Sequence, residues 1–255
     1  MQLNFKTSGQ GPPIIILHGL FGMLDNWRTI ARALEQHYTC ILVDLRNHGK
    51  SPHAGEMNYH VMAEDILELM NELGHNSTIL MGHSMGGKVA MQFSLLYPHK
   101  VNKLIVIDIA PKKYPAHHEH VIDAIQSIDP ATLEERSSAE KSFRQYLQDD
   151  EATIQFLLKN LARKPKGGFE WKANMPVLIE NYEALMEEIG EGAFFNKPTL
   201  FVRGEQSDSV RDEDRDQIQK LFPEAQLITI PGAGHWVHAD QPGALIDALL
   251  AFMQS

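Results

Sequence analysis

Ser84 lies in the run Gly82-His83-Ser84-Met85-Gly86-Gly87, between the β-branched and apolar residues Thr78-Ile79-Leu80-Met81 and a helix-like pattern that reaches Ser94. Glycines two residues on either side of the serine let strand, turn and helix backbones pass where a Cβ would clash. Such a turn holds its serine in a tight conformation with the hydroxyl exposed. The helix that follows directs its positive N-terminus at the same point. Strand, GxSxG and helix in this order present a nucleophile, so Ser84 is the candidate nucleophile. A serine hydroxyl is a weak nucleophile near neutral pH and requires an adjacent base. Of the 13 histidines in the chain, His235 stands in the glycine-rich loop Pro231-Gly232-Ala233-Gly234-His235-Trp236, flexible enough to bring it to Ser84. It is the candidate base. His83 adjoins Ser84 but projects from another side of the turn, which makes it structural. His117, His118 and His120 read as a solvated helix face rather than a metal site, and His238 is placed at the site entrance.

The elements that must position these residues follow from the hydrophobic pattern. Ile14-Ile15-Ile16-Leu17, Cys40-Ile41-Leu42-Val43, the run before Ser84, Leu104-Ile105-Val106-Ile107 and Leu200-Phe201-Val202 are continuous apolar runs. Such runs mark strands buried on both faces. Residues 225–230 form a last strand, and residues 3–10 are mixed enough for an edge strand. Helical spacing of apolar residues marks 25–37, 62–73, 85–97, 211–221 and 242–253. Alternation of strand and helix predicts an α/β fold, a mostly parallel central sheet with helices on both faces. Ligand sites in such sheets lie at the carboxyl ends of the strands. His18, Ser84, Asp108, Ser207, Asp208 and His235 all fall at such ends. Between residues 111 and 192 the pattern changes to four helical segments at 116–127, 131–148, 151–162 and 175–189. This stretch of about 80 residues is too long for an ordinary connection. It reads as a helical cap inserted before the last two strands, on a core made of residues 1–110 and 193–255. Phe169, Trp171 and Tyr182 are its aromatic candidates for a wall facing the site or, equally, for the core of the cap itself.

Composition narrows the class. A chain of 255 residues with 43% hydrophobic and 22% charged residues is that of a soluble globular enzyme-sized domain. The formal net charge of −10 argues against nucleic acid or an anionic membrane as partner. One cysteine, Cys40, excludes internal disulfides and cysteine-based metal sites. No run approaches the roughly 20 apolar residues needed to span a bilayer. The first residues lack the basic-then-apolar pattern of a secretory signal. The expectation is a cytoplasmic protein, a monomer or small homo-oligomer, that acts on a small molecule without metal or organic cofactor.

Taken together, His18-Gly19, Asp44-Leu45-Arg46-Asn47-His48-Gly49-Lys50-Ser51, Gly82-His83-Ser84-Met85-Gly86-Gly87 and Gly232-Ala233-Gly234-His235-Trp236 resemble the α/β-hydrolase superfamily over the whole chain. Arg46-Asn47-His48-Gly49 and Ile107-Asp108-Ile109-Ala110-Pro111 look further like its small capped esterases and thioesterases. The resemblance implies a serine hydrolase, and the order of Ser84 before His235 agrees with it. It also implies a loop around His18-Gly19-Leu20-Phe21-Gly22 that stabilises an oxyanion. The donors would be the backbone N–H of Met85 and of Leu20 or Phe21. Because main-chain donors leave the side chains free, Leu20, Phe21, Met85 and Trp236 are expected to line the substrate pocket. The acid is less determined. Members of this fold place it three residues after a glycine at a strand end, where this chain has Ser207; Asp208 stands one position late. Asp108, at the end of the preceding strand, is the other place the superfamily uses. A buried carboxylate there requires a partner such as a histidine N–H. We place the acid at Asp108, with Asp208 as the alternative, an ordinary loop acid beside Arg211 and Arg215. The expected reaction is cleavage of carboxylic esters or acyl thioesters of short-to-medium acyl groups through an acyl-enzyme. The alternative is a carbon–carbon hydrolase or lyase on the same scaffold, which would favour arginines facing Ser84.

Overall fold

An apolar run with no polar alternation must be covered on both faces. In the computed structural model these runs form the interior of one seven-stranded sheet. The structure describes residues 1–116, 118–148, 150–190 and 194–255. In chain order the strands are β1 (Phe5–Ser8), β2 (Pro13–Leu17), β3 (Thr39–Val43), β4 (Thr78–His83) and β5 (Val101–Ile107). A separate hairpin of β6 (Leu161–Arg163) and β7 (Phe169–Trp171) precedes β8 (Thr199–Gly204) and β9 (Ala225–Ile230). The sheet order is β1-β3-β2-β4-β5-β8-β9. All neighbours are parallel except β1, which runs antiparallel along β3 with Phe5 opposite Val43. The expected edge strand is therefore present, and its mixed residues suit a strand paired on one side only.

Helices α1 (Arg28–Leu34), α2 (Tyr59–Glu72) and α3 (Met85–Leu96) follow β2, β3 and β4. α1 packs on one face with the C-terminal helix, whose residues Leu245, Leu249 and Phe252 join Trp27, Ile30 and Leu34. α2 and α3 cover the other face through Met62, Ile66, Val89 and Phe93. Asn58 starts α2 by accepting the Val61 N–H at 3.0 Å, so the helix begins before its first predicted residue.

Between β5 and β8 come α4 (Glu119–Gln126), α5 (Arg136–Leu147), α6 (Glu151–Lys159), the β6–β7 hairpin, α7 (Met175–Glu180) and α8 (Tyr182–Met186). The helix expected over 175–189 is thus two helices. They part at Asn181, whose side chain donates to the Val177 carbonyl at 2.9 Å and competes with the helical backbone pattern. The helix expected from 131 begins at Arg136, because Asp129 accepts the Ala131 N–H at 3.0 Å and holds Pro130–Thr132 in a 3₁₀ turn. The inserted segment touches the sheet end at several points. Asn174 N–H donates to Asn47 O at 2.8 Å, and the Tyr59 hydroxyl donates to Leu185 O at 2.5 Å. Residue 192, the expected end of the cap, lies outside the described residues, as does His117. Among the described residues no helix is long and apolar enough to cross a membrane.

Three further helices close the chain: α9 (Arg215–Leu221), α10 (Val237–Asp240) and α11 (Pro242–Gln254).

Candidate active site

The turn after β4 explains its glycines. A Cβ on Gly82 would lie 2.1 Å from the Gly86 carbonyl oxygen, and one on Gly86 would lie 2.5 Å from that of His18. With those contacts open, Ser84 takes φ 52° and ψ −122°, a backbone conformation that L-residues adopt only when their surroundings impose it. Its N–H donates to Ile107 O at 3.0 Å and its carbonyl accepts from Lys88 N at 3.1 Å. Both ends of the turn are therefore fixed, one by the neighbouring strand and one by the first turn of α3.

Asp108 directly follows β5 and is wholly buried, also at a positive φ of 51°. Three donors converge on its carboxylate. Gly204 N–H reaches Oδ1 at 3.0 Å, the Ser207 hydroxyl donates to Oδ2, and His235 Nδ1 stands 2.7 Å from Oδ2. Ser209 Oγ lies 3.1 Å from the same ring nitrogen. A carboxylate at Nδ1 fixes the proton on that nitrogen and leaves Nε2 as the basic atom. Asp208 is placed otherwise: it is 92% exposed and pairs with Arg211 at 3.6 Å. Ser207, standing where an acid is usual, donates to the Asp108 carboxylate instead.

His83 lies behind the site. Burial, reinforced by the nearby His235 and His238 rings, lowers its pKa well below the usual histidine value. The neutral ring donates from Nε2 to the His235 carbonyl at 2.9 Å and thereby holds the His235 backbone. His238 is not at the entrance. It is buried and stacks on Trp27 with ring centroids 4.4 Å apart, and burial lowers its pKa to about 4. Of the three clustered histidines, His118 is tied through Nδ1 to the Tyr182 hydroxyl at 2.7 Å.

The loop after β2 is braced by two neutral histidines. His18 donates from Nδ1 to Gly19 O at 2.8 Å and accepts the Leu45 N–H on Nε2 at 3.0 Å. His48 donates from Nδ1 to Arg46 O at 2.9 Å and accepts the Phe21 N–H on Nε2 at 3.1 Å. Burial brings their pKa values down to about 4 and about 3, the proximity of the His18 ring adding to the effect on His48. Asp44 completes the frame, accepting Leu24 N–H at 2.8 Å and Lys50 N–H at 2.9 Å, and Arg46 forms a buried pair with Asp65 at 2.6 Å. One expectation is corrected here. The Phe21 N–H is engaged by His48 and does not face a substrate, so Phe21 is not an oxyanion donor. The turn closed by Gly22 N–H on Gly19 O at 2.9 Å leaves the Leu20 N–H without a partner among the described residues. The Met85 N–H, first of α3, has none within the helix.

Ser84 and His235 open on a cavity of about 750 Å³, a size that encloses most of a small organic ligand. Leu20, Phe21, Met85 and Trp236 all line it. The inserted segment supplies Tyr114, Val121, Phe156, Leu185 and Met186. Phe156 faces Trp236 with ring centroids 4.4 Å apart. Phe169, Trp171 and Tyr182 are not on this wall. Phe169 and Tyr182 are buried, and Trp171 packs parallel to Phe143, so all three serve the interior of the inserted segment. Lys88, one turn beyond Ser84, buries its stem beside the cavity. Its ammonium donates to Met186 O and Glu187 O, and burial lowers its pKa to about 7. His48, Ser207, Ser209, Lys88 and Tyr114 are the residues the sequence reading did not assign. For Ser207 a signal existed, its occupation of the usual acid position.

Fold and site together define an α/β hydrolase, and the family model for the alpha/beta hydrolase fold matches residues 12–242. The chain belongs to that family. A putative esterase/lipase of Haemophilus influenzae is 40% identical over 249 residues, covering 97% of this chain and 85% of that one. The esterase YbfF of Escherichia coli is 38% identical, with 99% of both chains covered. The mouse sn-1-specific diacylglycerol lipase ABHD11 is 37% identical over 95% of this chain and 81% of its own. Among solved structures, a marine microorganism esterase superposes with a TM-score of 0.96 at 44% identity, covering 98% of this chain and 99% of that one.

Proposed function

We propose that this hydrolase of the esterase/lipase type cleaves carboxylic esters or acyl thioesters through an acyl-enzyme on Ser84. The observation that carries the reading is the 2.7 Å contact between His235 Nδ1 and the buried Asp108 carboxylate, on a ring that shares the cavity with Ser84. Ser84 Oγ attacks the acyl carbonyl carbon while its proton passes to His235 Nε2. The Nδ1 proton stays on the ring, and the Asp108 carboxylate accepts its hydrogen bond and stabilises the imidazolium. The carbonyl oxygen takes up negative charge and is met by the N–H groups of Leu20 and Met85, each worth about 3 kcal/mol in the transition state. Collapse breaks the bond to the alcohol or thiol, which leaves with the proton from His235. Water then repeats the sequence and releases the acid.

The relatives named esterase or lipase support the ester reading. Phe156 against Trp236 supports a bounded, apolar acyl site for short-to-medium chains. Among the described residues the arginine on the cavity wall, Arg211, is paired with Asp208 and Glu213, which gives no support to carbon–carbon cleavage of a carboxylate-bearing substrate. The test combines a fluorophosphonate probe with an acyl-length series of p-nitrophenyl esters and acyl-CoAs. The wild-type protein is expected to take up the probe and turn over esters, and Ser84→Ala to do neither while remaining folded. Ester turnover by Ser84→Ala within about tenfold of wild type would remove Ser84 from the role, since losing a true nucleophile costs far more.

A further inference from the structure

We propose that Asn160, at the end of α6 in the inserted segment, is a positioning residue for the oxyanion hole. The proposal rests on the serine mechanism above and adds to it a link between the cap and the hole.

The link begins with Phe21, which lies between the two glycines of the loop at φ 58°. A non-glycine residue keeps such a conformation only where its neighbours over-determine it. Two side chains do so from opposite sides. His48 accepts the N–H of Phe21, and Asn160 Nδ2 donates to its carbonyl at 2.6 Å. These contacts fix the peptide planes before and after Phe21. The Gly19–Leu20 peptide, whose N–H is the unengaged donor beside Ser84, is one link further along the same closed turn.

Asn160 is itself held firmly. It is wholly buried, its N–H donates to Leu157 O at 2.9 Å, and its carbonyl accepts from Lys172 N at 2.8 Å. The side chain thus projects from the junction of α6 and the β6–β7 hairpin. Its orientation is determined by the partner, since only the amide nitrogen can face a carbonyl oxygen. Its other atom, Oδ1, has no partner. Burying an unpartnered oxygen opposes stability, and an aliphatic side chain at this position would avoid it. What the asparagine supplies in return is, among the described residues, the one donor to the Phe21 carbonyl. α6 also carries Thr153 and Phe156 on the cavity wall. The element that meets the acyl group and the element that meets its oxygen are therefore joined through a single amide.

Asn160→Leu, nearly isosteric but without the donor, and Asn160→Ala are compared with Leu157→Ala, a cavity-forming change in the same helix away from the substrate wall. The readouts are kcat and KM for p-nitrophenyl butyrate and the inhibition constant of an alkyl trifluoromethyl ketone, which forms a hemiketal with its oxygen in the same hole. We expect both Asn160 variants to lose about tenfold or more in kcat, with KM within threefold and ketone affinity falling in parallel. Leu157→Ala is expected to lower thermal stability and leave kcat and ketone affinity within twofold. If one Asn160 variant does not fold, the other gives the reading. If both fail to fold, or if kcat and ketone affinity stay within twofold, or if Leu157→Ala reproduces the loss, Asn160 is a structural residue and the proposal falls. Failure of the wild-type protein to react with the fluorophosphonate would instead overturn the serine mechanism.

Discussion

Replacing Asp108 by asparagine preserves shape and tests the chemistry. The carboxylate receives three donors: Gly204 N–H, the Ser207 hydroxyl and His235 Nδ1–H. An amide has one oxygen to offer them. If that oxygen keeps the Gly204 N–H, the NH₂ group faces Ser207 and His235. The serine hydroxyl can rotate and accept; the ring must lose its Nδ1 proton and carry it on Nε2, the atom that has to accept from Ser84. The enzyme is then folded but in the wrong tautomer. The corresponding change in a serine protease lowers turnover about 10⁴-fold, which is about 5 kcal/mol of transition-state stabilisation. Ester hydrolysis by purified Asp108→Asn should fall by that order. Asp208→Asn, at an exposed position paired only with arginine, should stay within about twofold of wild type. Circular dichroism and thermal melting establish that both are folded. If Asp208→Asn is the crippled enzyme and Asp108→Asn remains active, the acid has been assigned to the wrong strand end and the reasoning from the 2.7 Å contact fails.

Stability should depend on acid in a defined direction. His18 and His48 have folded pKa values near 4 and 3, below the unfolded value of about 6.5. Below pH 6.5 the unfolded chain therefore binds more protons, and stability present above that pH is lost as it falls toward the folded values. Each ring contributes up to about 1.4 kcal/mol per pH unit in that window. Urea titrations at pH 7.5, 6.0 and 5.0 check it, and midpoints that do not decline would contradict the neutral, buried state of both rings. Phe156→Ala should open the acyl wall against Trp236 and move the preferred p-nitrophenyl ester toward longer chains, read as the kcat/KM ratio of octanoate to butyrate. An unchanged ratio would take Phe156 off the acyl path.

Much of this arrangement was legible before any coordinates. Continuous apolar runs have a single solution in a parallel sheet, so the strands and the side on which their ends gather followed from hydrophobicity alone. That Ser84 and His235 share one cavity is legible because backbone requirements, glycines around a tight turn and a flexible loop, leave marks in the sequence. Amphipathic spacing in the inserted segment was less informative. It marks which residues of a helix are buried but not whether they face the helix's own neighbours or a cavity, and so it leaves Phe169, Trp171 and Tyr182 open between the segment's core, where they lie, and the cavity wall that Tyr114, Phe156 and Leu185 join. The sequence leaves Leu20 and Phe21 as alternatives for the second donor because which N–H of a turn is free depends on a histidine 27 residues away. Asn160 left no local mark at all. Its partner is 139 residues distant, and a lone asparagine at a helix end is otherwise an ordinary terminator.

The inserted segment leaves the sheet after β5 and returns on β8, and these two strands are immediate neighbours, with Leu104 opposite Thr199. Its two ends are therefore stitched together whatever lies between them. A segment so anchored is an interchangeable part. Exchanging it for that of another hydrolase should leave the pairing of β5 with β8 in place, while removing the Tyr114 hydroxyl that donates to Ser209 O beside His235. Such a chimaera should keep the contact between Asp108 and His235, and its preference along an acyl series would read what the incoming piece contributes. It would also inherit an unclamped loop beside Ser84, unless the incoming piece brought a hydrogen-bond donor to the Phe21 carbonyl.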